Sequence, residues 1–323
     1  TPRYQTMLKV AVAGGDVLPG TYNWLFTSGP ATNAFQNKWA GVTVVTDSLQ
    51  LYTKEGTTDN SVTLDDNRYY TVNWEDVGYA NCRAIFMKTW FEPVKIDTVH
   101  VPSGVLANIP ANIEIWANFS ISQEEQVYVR YSTDGWMTSA LALASKNGMM
   151  ATATIPGQPA GTTVSYYALT TTCLNLTSDV DLYTINFKNN NGTNYSYTVG
   201  TPPPVITFAN LQWPESGEIM PLNTFEVYGQ AYIEGITGQT TPAPGLQAWV
   251  GYHTENTDPS TWTNWVDAGF NGPSGNNDEF KANIGVLLLN TGIYYYALRY
   301  KYNNDPYVYG GFSSTGGGFW DGT

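Results

Sequence analysis

Residues able to do acid–base or nucleophilic chemistry are few in this chain and badly spaced for it. The two histidines, His100 and His253, lie far apart and no Gly-x-Ser-x-Gly turn accompanies them, so a Ser-His-Asp relay is not expected. Carboxylates are commoner and sit side by side at Asp65-Asp66, Glu75-Asp76, Glu124-Glu125 and Asp278-Glu279. Neighbours on a strand point to opposite faces, so adjacent acids do not meet across a glycosidic bond. Asp179 and Asp181 alternate instead, as a calcium site or a carboxylate pair requires. A polar strand entrance is the competing reading. Calcium also suits the loop oxygens around Asn276, Asn277 and Asp278, without the spacing of an EF-hand. No phosphate-cradling glycine loop and no Cys/His zinc spacing occurs, which removes nucleotide and zinc-hydrolase classes. The expectation is a non-enzyme whose only cofactor candidate is calcium.

Aromatic rings are the abundant resource. Eleven Trp and 23 Tyr offer flat faces for sugar rings, with Asn, Gln and Thr to satisfy hydroxyls. Most must fill cores. Along Leu246-Gln-Ala-Trp-Val-Gly-Tyr252, alternation puts Leu246, Ala248, Val250 and Tyr252 on one face and Gln247, Trp249 and His253 on the other. The first face reads as buried, which makes Trp249 a surface candidate. Trp262 and Trp265, in a stretch rich in Thr, Asn and Pro, and Trp136, before Met137 in a turn, complete the carbohydrate-binding set. Core or inter-domain packing is the alternative for each.

The elements that must position these rings follow from composition. Only 13% of the 323 residues are charged, yet 42% are apolar and 14% aromatic, ample for packed cores and against disorder. The net charge of −13 would repel phosphate backbones and anionic lipid, so nucleic acid and membrane-surface partners are not expected. The longest apolar run, Ile284 to Leu289, is far short of a membrane span. A chain poor in Lys and Glu but rich in Thr, Asn, Gly and aromatics favours strands joined by turns. The fold class is all-β. Cys82 and Cys173 are either an inter-domain disulfide or buried inert thiols.

Pattern breaks fall at Glu92 to Gly104, with Pro93 and Pro102, and at Gly200-Thr-Pro-Pro-Pro204. Prolines cannot donate to a ladder and stiffen a connector. Three β-sandwiches follow, over residues 1–97, 101–200 and 204–323. In the first, strands read at Tyr4 to Val12, Thr21 to Thr27, Gly41 to Thr46, Arg68 to Trp74 and Ala84 to Trp90, with Tyr22, Trp24 and Phe26 on one face. The other two share an order of signals, a divergent repeat. An alternating strand, Ile113 to Phe119 or Phe225 to Tyr232, precedes a second, Val127 to Tyr131 or Leu246 to Tyr252. A short strand follows at Ala151 to Ile155 or Glu279 to Ile284, then a tyrosine-rich one at Gly161 to Leu169 or Thr291 to Leu298. Tandem antiparallel sandwiches of immunoglobulin, fibronectin-III or jelly-roll type fit this order.

Particular motifs carry a family likeness. Asn23-Trp-Leu-Phe-Thr-Ser-Gly29, Asn37-Lys-Trp-Ala-Gly41, Tyr70-Thr-Val-Asn-Trp-Glu-Asp-Val-Gly-Tyr79 and Arg83-Ala-Ile-Phe-Met87 resemble a module of large secreted multidomain exoproteins of the Bacteroidetes, of the type IX-secreted kind. Tyr131-Ser-Thr-Asp-Gly-Trp136 and Ala153 through Tyr167 look like its usual companion, which is similar to starch-binding immunoglobulin-like modules. There Trp136 matches a sugar platform, although a full binding triad does not match. Trp249-Val-Gly-Tyr252, Trp262-Thr-Asn-Trp265 and Tyr307-Val-Tyr-Gly-Gly311 resemble a third module of the same proteins. Such modules accompany glycoside hydrolases and adhesins. The resemblance implies an extracellular or cell-surface location and a polysaccharide or glycan partner. It also implies O-linked glycosylation at Ser48, in Asp47-Ser48-Leu49, and at Thr98, in Asp97-Thr98-Val99.

Thr1, with no leader before it, reads as a processed or excised piece of a longer precursor. The family's end modules normally carry further strands, so an unpaired edge at either end would let copies exchange strands into a homopolymer. The functional expectation is a carbohydrate-binding or adhesive segment, ahead of a filament subunit and of an accessory piece of a glycoside hydrolase.

Overall fold

The computed structural model describes residues 3–28, 32–33, 35–75, 80–176, 179–312 and 317–320. The chain divides into two compact units, residues 1–202 and 203–323.

The first unit opens with β1 (Arg3–Val10), β2 (Gly20–Trp24), β3 (Phe26–Thr27), β4 (Lys38–Ala40), β5 (Gln50–Lys54), β6 (Asn60–Leu64), β7 (Arg68–Glu75) and β8 (Cys82–Thr89). Six of these form one sheet, ordered β1-β7-β8-β5-β4-β3, and β2 pairs β6 separately. Val62 and Leu64 of β6 cover Tyr70, Val72 and Phe86 on one face of the sheet. Trp24 and Phe26 enter this packing, whereas Tyr22 points its hydroxyl to the Leu18 carbonyl at the surface. The expected strand at 41–46 is irregular. The ladder instead runs just before it, in β4, and just after it, in the polar strands β5 and β6.

The chain continues through β9 (Ile96–Val99), β10 (Ala111–Ala117), β11 (Gln126–Ser132), β12 (Ala140–Leu143), β13 (Ser145–Asn147), β14 (Met150–Ile155), β15 (Thr163–Thr171), α1 (Val180–Tyr183), β16 (Phe187–Lys188) and β17 (Tyr195–Thr198). Two sheets result, β13-β14-β10-β9 and β12-β11-β15, with β16 and β17 both paired to β15. Alternation along β10 sends Ile113 and Ile115 inward, against Val127, Val129 and Tyr166 of the facing sheet. Each such buried isoleucine contributes about 2 kcal/mol of transfer free energy. This is an antiparallel β-sandwich with the strand division of immunoglobulin-like domains. The stretch read as a connector, 92–104, carries β9, which pairs with β10. Pro93 and Pro102 flank that strand and hide it from a sequence reading.

The chain between β15 and β17 leaves its own sandwich. Cys173, Tyr183 and Ile185 pack on Ile85 and Met87, the face of β8 opposite Phe86. Asn73, fully buried, donates its amide to the carbonyls of Leu182 (2.7 Å) and Thr184 (2.8 Å). The central strands β7 and β8 are thus buried on both faces, which joins the segments 1–97 and 101–200 in one unit. Cys82 and Cys173 are buried thiols rather than a disulfide. The first accepts a hydrogen bond from the Trp74 indole at 2.8 Å, and burial pushes the second's pKa up.

The second unit holds β18 (Phe208–Trp213), β19 (Glu226–Tyr232), β20 (Leu246–His253), β21 (Trp265–Ser274), β22 (Asn277–Asn283), β23 (Tyr295–Tyr302), β24 (Val308–Gly311) and β25 (Gly318–Phe319). They form one sheet, β18-β19-β22-β21-β20-β23-β24-β25. β18 also meets β24 in parallel, through Asn210 and Gly311, so the sheet closes on itself. Closure needs a bare backbone. A Cβ on Gly310 would lie 2.4 Å from the Asn210 carbonyl carbon. Val227, Ile233, Val250, Leu298 and Tyr300 fill the interior, as alternation along β20 predicts. Near this end of the chain β25 pairs with β24, which also meets β18.

A candidate ligand cleft

Three connections of the second unit, residues 214–225, 254–264 and 284–294, converge on one cleft of about 1270 Å³. The first and third are tied together by the Leu222 amide donating to the Leu288 carbonyl at 3.2 Å. The apolar run Ile284 to Leu289 builds the third: Ile284 and Leu288 are buried, while Val286, Leu287 and Leu289 stay exposed. The middle connection turns through a 3₁₀ segment, Pro259–Thr261, because Asp258 caps it by accepting the Ser260 amide at 2.8 Å.

Rings form the walls. Trp262, only 7% exposed, donates its indole hydrogen to the Thr257 hydroxyl at 3.0 Å. Tyr294, Tyr295 and Tyr296 arrive from the start of β23, and Asn256, Thr257 and Asn290 add amides and a hydroxyl. The Tyr296 hydroxyl donates to the Pro214 carbonyl at 2.7 Å. Burial, and secondarily the charge of Glu215, pushes its pKa up to about 12. Glu215, Glu218 and Asp258 also line the cleft, and no Lys, Arg or His does among the described residues.

Of the four tryptophans singled out above, only Trp262 lines this cleft. It stacks on His253 (5.8 Å between centroids, 15° between planes) and lies 6.2 Å from Trp265. Trp249 and Trp265 come together on the outer face of the sheet, where the Arg299 guanidinium sits 5.1 Å and 4.2 Å from their centroids and 4.1 Å from that of Tyr307. Trp265 lies flat over the backbone of Gly251, where a Cβ would approach its ring to 2.8 Å. These rings hold a guanidinium, a contact worth about 0.5–2 kcal/mol. Trp136, half-buried at a positive φ of 71°, leans on Tyr167 at 5.6 Å. The sequence missed the tyrosines of β23 as lining, and it missed Trp213, which is 60% exposed and 5.7 Å from Tyr228.

The acids proposed for calcium sit in separate settings, Asp179 and Asp181 in the first unit and Asp278 in the second. Asp179 pairs with Arg83 at 2.5 Å. Its neighbour Asp181 is 4.0 Å from Arg130, and its carbonyl accepts from Arg3. Asp278, fully buried in the second unit, accepts the Gly238 and Ala243 amides, both at 2.8 Å. Arg83 thus holds the Asp179 carboxylate and main-chain amides hold that of Asp278, while the Asp181 carboxylate stays largely exposed; among the described residues no three His, Cys, Asp or Glu cluster as metal ligands. Of the adjacent pairs, Asp76 lies outside the described residues.

Ser48 is exposed beside a shallow hollow of about 370 Å³ that Asp47, Thr172 and Tyr183 also line. Thr98 is exposed as well, but on β9 opposite Trp116 rather than in a linker. The His253 ring also accepts the Glu255 amide at 3.0 Å. No described helix is long and apolar enough to cross a membrane.

No family model and no curated protein matches this chain. Among solved structures it is similar to the crystal structure of the chicken CNTN1 FN1–FN3 domains, with 11% identity over 84% of this chain and 93% of that one and a TM-score of 0.26. An overlap that low carries no argument, and the β-sandwich assignment rests on the strand pairing above.

Proposed function

We infer that the chain is a non-catalytic, adhesive glycan-binding segment of an exported protein, with the cleft at 214–225, 254–264 and 284–294 as its ligand site. One observation carries this: a concave site walled by Trp262, Tyr294, Tyr295 and Tyr296 with amides and hydroxyls at its mouth, the chemistry that takes a sugar's C–H face and its hydroxyls together. The likeness of the motifs to secreted Bacteroidetes modules and to starch-binding immunoglobulin-like modules supports export and a polysaccharide ligand. A filament built by strand exchange is the weaker reading, because β18 has strand neighbours on both sides.

A glycan array with the intact protein tests the reading. Binding is expected to weaken ~10-fold or more in Tyr295→Ala, which removes an exposed wall ring, and to be unchanged in Trp136→Ala. Loss of binding in Trp136→Ala with Tyr295→Ala unaffected would move the site to the first unit.

A further inference from the structure

The charges of the second unit are segregated. Residues 203–323 hold three cationic side chains, Lys281, Arg299 and Lys301, against eleven Asp and Glu. All three cations are engaged on the sheet, away from the cleft. Lys281 pairs with Glu226 at 3.3 Å, Arg299 is enclosed by rings, and Lys301 lies 5.4 Å above Tyr307. The cleft keeps Glu215, Glu218 and Asp258. A concave site lined by one sign of charge biases the charge of whatever enters. Aromatic walls add to that attraction, since ring faces favour cations.

Resting on the glycan reading above, we propose that this cleft selects glycans whose sugars carry free amino groups and rejects those carrying carboxylates or sulfates. Ammonium groups meet Glu215, Glu218 and Asp258 while a pyranose face lies on the exposed ring of Tyr295. A uronate would bring its charge to three carboxylates with no cation to receive it.

The test uses the full chain and three β-linked oligomers of equal length: glucosamine, N-acetylglucosamine and glucuronate, with titration calorimetry at low and high salt. The glucosamine oligomer is expected to bind ~10-fold or more tightly than the acetylated one, with that advantage fading at ~0.5 M salt, and the glucuronate oligomer not at all. Combining Glu215→Gln, Glu218→Gln and Asp258→Asn should abolish the advantage, read as the ratio of amino- to acetylated-oligomer affinity within the same variant; Asn at 258 retains a capping oxygen. Equal binding of the amino and acetylated oligomers, any binding of glucuronate, or an advantage that survives the triple variant would overturn the charge selection alone. Binding of none of the three while the array gives other hits would overturn the charge selection; an array without hits as well would overturn the glycan reading itself, and a Lys-rich peptide bound in their place would assign the cleft to a protein partner.

Discussion

The sandwich of β9–β17 and the closed sheet of β18–β25 share one pairing plan. β10 pairs with β14 and β11 with β15 in the first; β19 pairs with β22 and β20 with β23 in the second. Even the parallel contact recurs, as Leu106 with Gly200 and as Asn210 with Gly311. The two differ in their connections. Between β15 and β17 the chain spends residues 172–194, with α1 and β16 among them, and lays that length on the neighbouring sheet; from β23 to β24 it spends only 303–307. The second module instead lengthens the turn between β14 and β15, residues 156–162, into 284–294, one wall of the cleft. One plan thus uses an insertion for packing on a neighbouring sheet and the other for one wall of a concavity.

The largest expected effect breaks the packing use. Asn73→Leu removes two donors from buried carbonyls and the acceptor of the Gln5 amide, at a cost of about 3 kcal/mol. Hydrogen exchange should show lost protection in peptides from 1–202 and none lost in 203–323. If both units lose protection together, the two-unit division fails. Next comes closure of the second module. Gly310→Ala forces a Cβ into the Asn210 backbone and is expected to cost about 2 kcal/mol, with faster exchange in β18 and β24 and unchanged exchange in β10 and β14.

How far this was legible depended on burial. Strands with one buried face, such as β10, β20 and β23, showed in the alternation of Ile113 with Glu114 or of Val250 with Trp249. β9 and β18, the first strands of their modules, did not, since the prolines around them read as breaks. β7 and β8 looked like ordinary strands, and nothing in Thr71, Asn73 or Ile85 announced a second covering layer, because that layer comes from a segment about a hundred residues away. The cleft suffered the same fate. Its rings were visible as a tyrosine-rich strand, but concavity arises from where three connections meet. The apolar run Ile284 to Leu289, too short for a membrane or a strand, was the signal that could have pointed there.

A pH scan sharpens the comparison at smaller scale. Glu125, buried under the entry to β9, accepts from the Val94 amide at 3.1 Å and the Ser122 hydroxyl at 3.3 Å, and burial pushes its pKa up to about 7. A carboxyl raised above its unfolded value of 4.5 favours the protonated folded state. Its stabilisation is therefore complete below that unfolded value and lost as pH rises through about 7. The first unit should lose at most about 3 kcal/mol across this window, and Glu125→Gln should flatten the profile. A variant profile that still falls through neutrality would place the titration elsewhere.

The smallest effect belongs to the ion pair that ties the insertion to the first sheet. The Arg83 guanidinium contacts Glu75 at 2.7 Å and Asp179 at 2.5 Å, and those two carboxylates, Glu75 first, push its pKa further up. The Arg83 and Asp179 side chains are both about a third exposed, so water and salt screen most of the attraction. Asp179→Asn is expected to cost less than about 1 kcal/mol, a loss that shrinks further in salt, against about 3 kcal/mol for Asn73→Leu a short distance away. The contrast follows from burial: the amide of Asn73 has no water to replace its partners, whereas Asp179 does. The same variant bears on calcium. With Arg83 on its carboxylate, adding calcium should leave the first unit's thermal midpoint unchanged in both the native chain and Asp179→Asn. A rise in the native chain that the variant abolishes would show that the ion displaces the guanidinium, and Asp179 and Asp181 would then be ligands after all.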